Sequence, residues 1–77
     1  MATYTILRRK EVQVRTGLSR TALYDKLNTK SQYYDPEFPR PIPLNGGGAG
    51  RAVGWLDHEI DAWIERQIAK RDARTAA

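Results

Sequence analysis

The stretch GLSRTALYDKL, Gly17 to Leu27, reads as a glycine turn, a helix cap and a short helix. Glycine reaches the left-handed backbone region without a Cβ penalty, so Gly17 suits the residue just past the end of a preceding helix. Leu18 plugs the turn. Ser19 can cap the next helix by accepting a bond from an amide that the helix itself leaves orphaned. Leu23 and Leu27 lie four apart and share the face expected to be core. At 100° per residue, Thr21, Tyr24, Asp25 and Asn28 fall on the opposite face, with Arg20 at its N-terminal edge. The helix is expected to stop between Asn28 and Lys30.

Upstream, RRKEVQVRT (8–16) has the length of a two-turn helix, with Leu7 and Val12 facing inward. Before it, MATYTIL (1–7) suits either a short strand or a packed arm. Two short helices joined by a tight glycine turn form a helix-turn-helix. Downstream, SQYYDPEFPRPIPL (31–44) holds all four prolines and cannot be helical throughout. Pro41 and Pro43 fit an edge strand, where no amide is needed for a ladder. The loop NGGGAGR (45–51) and the strand-like AVGWL (52–56) complete a hairpin, placed as a wing behind the helix-turn-helix. The last element is an amphipathic helix from Leu56 to Arg71, with Leu56, Ile60, Trp63, Ile64 and Ile68 on one stripe and Asp57 as its cap. Glu59 and Asp61 near its start and Lys70 and Arg71 near its end complement the helix dipole. The whole of residues 1–77 is expected to form one domain, with 72–77 a frayed tail.

Composition narrows the chemistry. The 77 residues include no cysteine and one histidine, His58, which argues against disulfides, thiol catalysis and a metal site. Neither a membrane span nor a signal-peptide core is visible, so a bacterial or phage-like cytoplasmic protein is expected. The glycine loop lacks the Lys-Ser/Thr ending of a nucleotide-binding loop and does not lead into a helix, so no nucleotide or other cofactor is expected. With one histidine, no Ser/His/Asp set or paired-carboxylate cleft can be assembled, and the protein is not expected to be an enzyme. The formal net charge of +4 is uneven: residues 1–35 carry seven basic and three acidic side chains, whereas 36–77 carry six of each. The excess surrounds the opening stretch, where it would attract phosphate, although a merely solvated basic surface has the same composition.

LRRKEVQVRTGLSRTALY (7–24), FPRPIPL (38–44) and GRAVGWLDHEIDAWIERQIAKR (50–71) together resemble the AlpA-type prophage regulators, relatives of phage excisionases and of MerR-like winged helix-turn-helix domains. The resemblance spans most of residues 6–71. It implies a mostly α fold with a small β-hairpin wing, and a small double-stranded-DNA-binding protein of a prophage or integrative element. Such proteins regulate transcription or act as excisionases, the recombination directionality factors that assist an integrase. By the same resemblance, Ser19, Arg20, Thr21 and Tyr24 occupy the DNA-facing start of the recognition helix, and Arg51 occupies the basic position of the wing. This chain departs from the family's pattern in a longer segment between the recognition helix and Phe38-Pro39, in a longer wing tip, and in Asp25, where a basic residue is common.

The residues themselves allow specific roles. Arg20 can read guanine through O6 and N7 or clamp a phosphate; Thr21 can touch a thymine methyl; Tyr24 can bond a phosphate through its hydroxyl. Lys26 lies off that face and suits phosphate or water, Asn28 could pair with adenine, and Arg40 and Arg51 suit backbone contacts in the two arms of the wing. Each could instead be ordinary solvated surface. Asp25 repels phosphate, which leaves a cytosine amino group, an ion pair or water. Trp55 and Trp63 read as core. Few base contacts are available to so small a monomer, so cooperative self-association on DNA, an integrase or RNA polymerase are the expected partners. The alternative is a protein-interaction module on a winged-helix scaffold, with Tyr33, Tyr34 and the last helix forming its surface.

Overall fold

A computed structural model describes residues 3–45 and 52–75. The elements run β1 (Ile6–Leu7), α1 (Arg9–Thr16), α2 (Arg20–Leu27), β2 (Ile42–Pro43), β3 (Val53–Leu56) and α3 (Asp57–Thr75). The result is a winged helix-turn-helix, mostly helical, with a three-stranded antiparallel sheet of order β1-β3-β2.

Local chemistry explains the two short helices. The Glu11 carboxylate accepts the Arg8 amide at 3.0 Å, satisfying a donor at the start of α1. Gly17 ends α1 at φ 75°, and its amide returns to the Gln13 carbonyl at 2.8 Å. Ser19 then caps α2, its Oγ accepting from the Ala22 amide at 3.1 Å. The turn between the helices is three residues long. Leu18 packs against the core from within it, as its place in the sequence suggests.

The sheet settles the role of the N-terminal segment. Ile6 and Leu7 form a strand that pairs with Leu56 and Trp55, so β3 is central. On its other edge Ile42 and Pro43 face Gly54 and Val53, and Pro43 sits in an edge strand that needs no amide from it. Beyond the ladder, the Leu44 amide donates to the Ala52 carbonyl at 2.8 Å; of the loop expected at 45–51, all but Asn45 lies outside the described residues. Gly54 fits because β1 passes so closely: a Cβ there would collide with Ile6 Cγ2 and stand 3.3 Å from the Leu7 carbonyl oxygen.

Leu7, Val12, Leu23, Phe38, Trp55, Ile60 and Trp63 form the buried core, with Leu18, Leu27, Val53 and Ile64 packed around it. Trp55 is fully buried and donates its indole N–H to the Pro39 carbonyl at 3.1 Å, which ties β3 to the proline segment. Phe38 meets Trp63 edge to face, with centroids 5.1 Å apart. Two details of the last helix differ from the sequence reading. Asp57 is not the cap but the first helical residue, its amide held by the Thr5 carbonyl, because β3 runs directly into α3. Ile68, expected on the inward stripe, is exposed at the rim of a cleft between α1 and α3. The helix itself continues through residues 72–75, expected to fray.

The segment between α2 and Phe38 is a chain of turns pinned at Asp35. The Asp35 amide donates to the Lys26 carbonyl at 3.0 Å, its Oδ1 accepts the Glu37 amide at 2.9 Å, and its Oδ2 accepts the Trp63 indole N–H at 2.9 Å. One residue thus joins the end of α2 to the middle of α3. Lys26 lies alongside, its ammonium 5.5 Å from the Trp63 ring centroid. Glu37 adds ion pairs to Arg66 and Lys70, both exposed and individually weak. Partial burial raises the Asp35 pKa, but the bonds from Trp63 and Glu37 and the charges of Lys26 and Lys70 outweigh it, so the net shift is downward.

Two outcomes are expected. Gly54→Ala destabilises the protein by about 1–3 kcal/mol, measured by urea unfolding, because β1 must move away from β3. Asp35→Ala leaves the Trp63 indole without its acceptor and costs roughly 1–2 kcal/mol in the same assay. The folded pKa of Asp35 lies below its ordinary value of 3.8, so its charge contributes fully above that value and loses its contribution as pH falls through the lower, folded one. The difference between wild type and Asp35→Asn is therefore constant near neutrality and shrinks only below that ordinary value; shrinkage beginning near pH ~6 would contradict the assignment.

Candidate nucleic-acid interface

α2 presents its outer face because Leu23 is fully buried and Leu27 packs beside it, which turns the opposite side to solvent. That side carries Arg20, Thr21 and Tyr24, all exposed, with Tyr24 at 42%. The Arg20 guanidinium lies 5.9 Å from the Tyr24 ring centroid, one helical turn along. This cation–π approach consumes none of the arginine's five N–H donors. Among the described residues Arg20 has no carboxylate partner, so its charge is available to a ligand.

The other expected contact residues divide. Ser19 is exposed at the helix start, but its hydroxyl oxygen is engaged by the Ala22 amide. Asn28 is the C-cap of α2 and spends its side-chain oxygen on the Lys30 amide at 3.0 Å, a local turn bond that competes with adenine recognition. Lys26, expected at phosphate or in water, lies with its ammonium over the Trp63 ring and close enough to Asp35 to favour its charged form. Arg40 is exposed and donates to the Tyr34 hydroxyl at 2.9 Å, which holds its guanidinium against the turn segment. Arg51 lies outside the described residues.

The long segment after α2 adds what helix periodicity could not show. Ser31 organises it: its Oγ accepts the Tyr33 amide and its carbonyl the Tyr34 amide, both at 3.1 Å. Tyr33, 62% exposed, is thereby set against α2, where it forms a shallow cleft with Ser19, Thr21, Ala22 and Asp25. The outer face of α2 is therefore flanked by Tyr24 on one side and Tyr33 on the other. Asp35, the residue that anchors this segment, went unnoticed in the sequence, although an aspartate just before a proline is a turn signal.

No group of three or more metal-ligating side chains occurs among the described residues, and no helix among them is long and apolar enough to cross a membrane. An exposed helix with a free arginine at its start, backed by a turn and a hairpin, is an arrangement suited to entering the major groove.

Comparison with known proteins agrees with that architecture. The model of the family described as prophage CP4-57 regulatory protein (AlpA) matches residues 5–68. The chain is 40% identical over 62 residues to the DNA-binding transcriptional activator AlpA of Escherichia coli (strain K12), a match covering 80% of this chain and 83% of that protein. No solved structure matches significantly. The match spans both helices of the helix-turn-helix, the hairpin and most of α3, and the protein belongs to the AlpA family of prophage regulatory proteins.

Proposed function

We propose that the protein is a sequence-specific double-stranded-DNA-binding transcription regulator of a prophage or integrative element. α2 enters the major groove with Arg20, Thr21 and Tyr24 leading. The observation that carries this reading is the Arg20 guanidinium, without a carboxylate partner among the described residues and over the Tyr24 ring, at the exposed start of a helix whose far side is locked into the core. The Escherichia coli relative is a DNA-binding transcriptional activator by name, and its likeness runs through this helix. Lys and Arg contacts to phosphate supply affinity and salt dependence, and base contacts from α2 supply discrimination. No catalytic step is assigned, and the site of action is the cytoplasm, where the DNA is.

With few contacts per monomer, specificity rests on neighbouring copies on DNA or on a protein partner, RNA polymerase at a promoter or an integrase at an attachment site. Footprinting of the purified protein across the element's own promoters and attachment sites, with a promoter-reporter assay, tests the reading. Protection within a promoter and a change in reporter output support it. Protection confined to the attachment site assigns the protein to excision instead, and tight capture of a protein without any footprint makes the fold a protein-interaction module.

Arg20→Ala is expected to cost about 1–3 kcal/mol on the specific site while leaving random DNA less affected, measured by parallel titrations. Equal weakening of both would make Arg20 a phosphate contact only.

A further inference from the structure

Asp25 is the one acidic residue on a face that otherwise suits DNA. It is partly buried, and among the described residues its carboxylate has neither a hydrogen bond nor an ion pair. The adjacent Lys26 is turned to Trp63, so it does not neutralise the charge. Thr21 lies one turn before Asp25 on the same face, and Tyr33 closes the far side of a cleft of about 270 Å³. A phosphate oxygen cannot sit there, because like charges at contact distance repel. A groove-facing carboxylate is therefore tolerated only opposite a hydrogen-bond donor.

The major groove offers two such donors, the amino groups of cytosine and adenine. Adenine places its N7 acceptor beside the amino group, so a carboxylate that approaches it meets a second lone pair. Cytosine has no acceptor beside N4, only the C5–H edge. Resting on the DNA-binding reading above, we propose that Asp25 is a specificity residue that accepts a hydrogen bond from the N4 amino group of one cytosine, with the Tyr33 ring screening the pair from water. Arg20 and Asp25 are five residues apart, roughly 7.5 Å along the helix axis. At about 3.4 Å per base step, the two side chains address different base pairs. Desolvation of the unpaired carboxylate disfavours every other base at that position, so Asp25 acts more by rejecting wrong sites than by tightening the right one.

The test starts from duplexes selected by the wild-type protein from a random library. Affinity is then measured for wild type, Asp25→Asn and Asp25→Ala on panels in which each position carries all four base pairs, with thermal unfolding to verify that both variants fold. Wild type is expected to prefer cytosine at one position by about 5- to 100-fold. Asp25→Asn should transfer that preference to adenine, which an amide can pair with through N6 and N7, and Asp25→Ala should make the position indifferent. Both variants should bind random DNA at least as tightly as wild type, having lost a negative charge. A uniform tightening on every duplex with an unchanged preference profile would overturn the proposal and make Asp25 a general electrostatic brake. If wild type shows no preference at any position, the sequence-specific reading itself fails and the assignment of Asp25 falls with it.

Discussion

A helix of eight residues is too short to hold itself in water, where isolated helices need about 12–15 residues to be even marginal. α2 therefore owes its existence and its orientation to what grips it. Leu23 is buried against the Trp55 and Trp63 core, Ser19 closes its first turn, and Asp35 joins its last turn to α3 by bonding both the Lys26 carbonyl and the Trp63 indole. Every feature of the outer face depends on this grip. A helix free to roll would present Arg20 and Asp25 at no fixed angle to a groove, and contacts between side chains and base edges are angle-dependent.

The two tryptophans divide the labour of holding a small domain together. Chains of this size bury only roughly 60% of their unfolded surface, so each large side chain matters. Trp55 fixes the sheet to the proline segment through the Pro39 carbonyl, and Trp63 fixes the turn segment to α3 through Asp35. Both indoles are satisfied by partners from the same irregular stretch, residues 35–39. That stretch looks like a linker in composition, yet it binds the two halves of the core and, with the turn before it, sets Tyr33 against α2. The segment after α2 thus forms part of the candidate interface.

Electrostatics at the surface have a similar division. Arg15 pairs with Asp61, Glu37 with Arg66 and Lys70, and Arg71 with Asp72, exposed contacts that trim the geometry of α1 and α3. Arg20 and Asp25 stand apart from this pairing. A cation and an anion without ion-pair partners on one short helix add little to stability, and the proposed function gives each of them a complementary group on DNA.

Much of the framework was legible in the residues alone. The glycine turn, the Ser19 cap, the inward Leu23 and the edge position of Pro43 follow from backbone chemistry that acts over a few residues. The family is carried by the same local signals, spaced along most of the chain. Tertiary structure decided the rest, because it depends on partners distant in sequence. β1 became a strand only through pairing with β3, Asp57 moved inside α3 because the strand runs straight into the helix, and Ile68 was left exposed at the rim of the cleft between α1 and α3. At the interface, periodicity placed Arg20, Thr21, Tyr24 and Asp25 outward, but it could not show that Lys26 is taken by Trp63 or that Tyr33 walls the cleft beside Asp25. Helix periodicity reports a direction around one axis; which neighbour waits in that direction is set by how the chain packs.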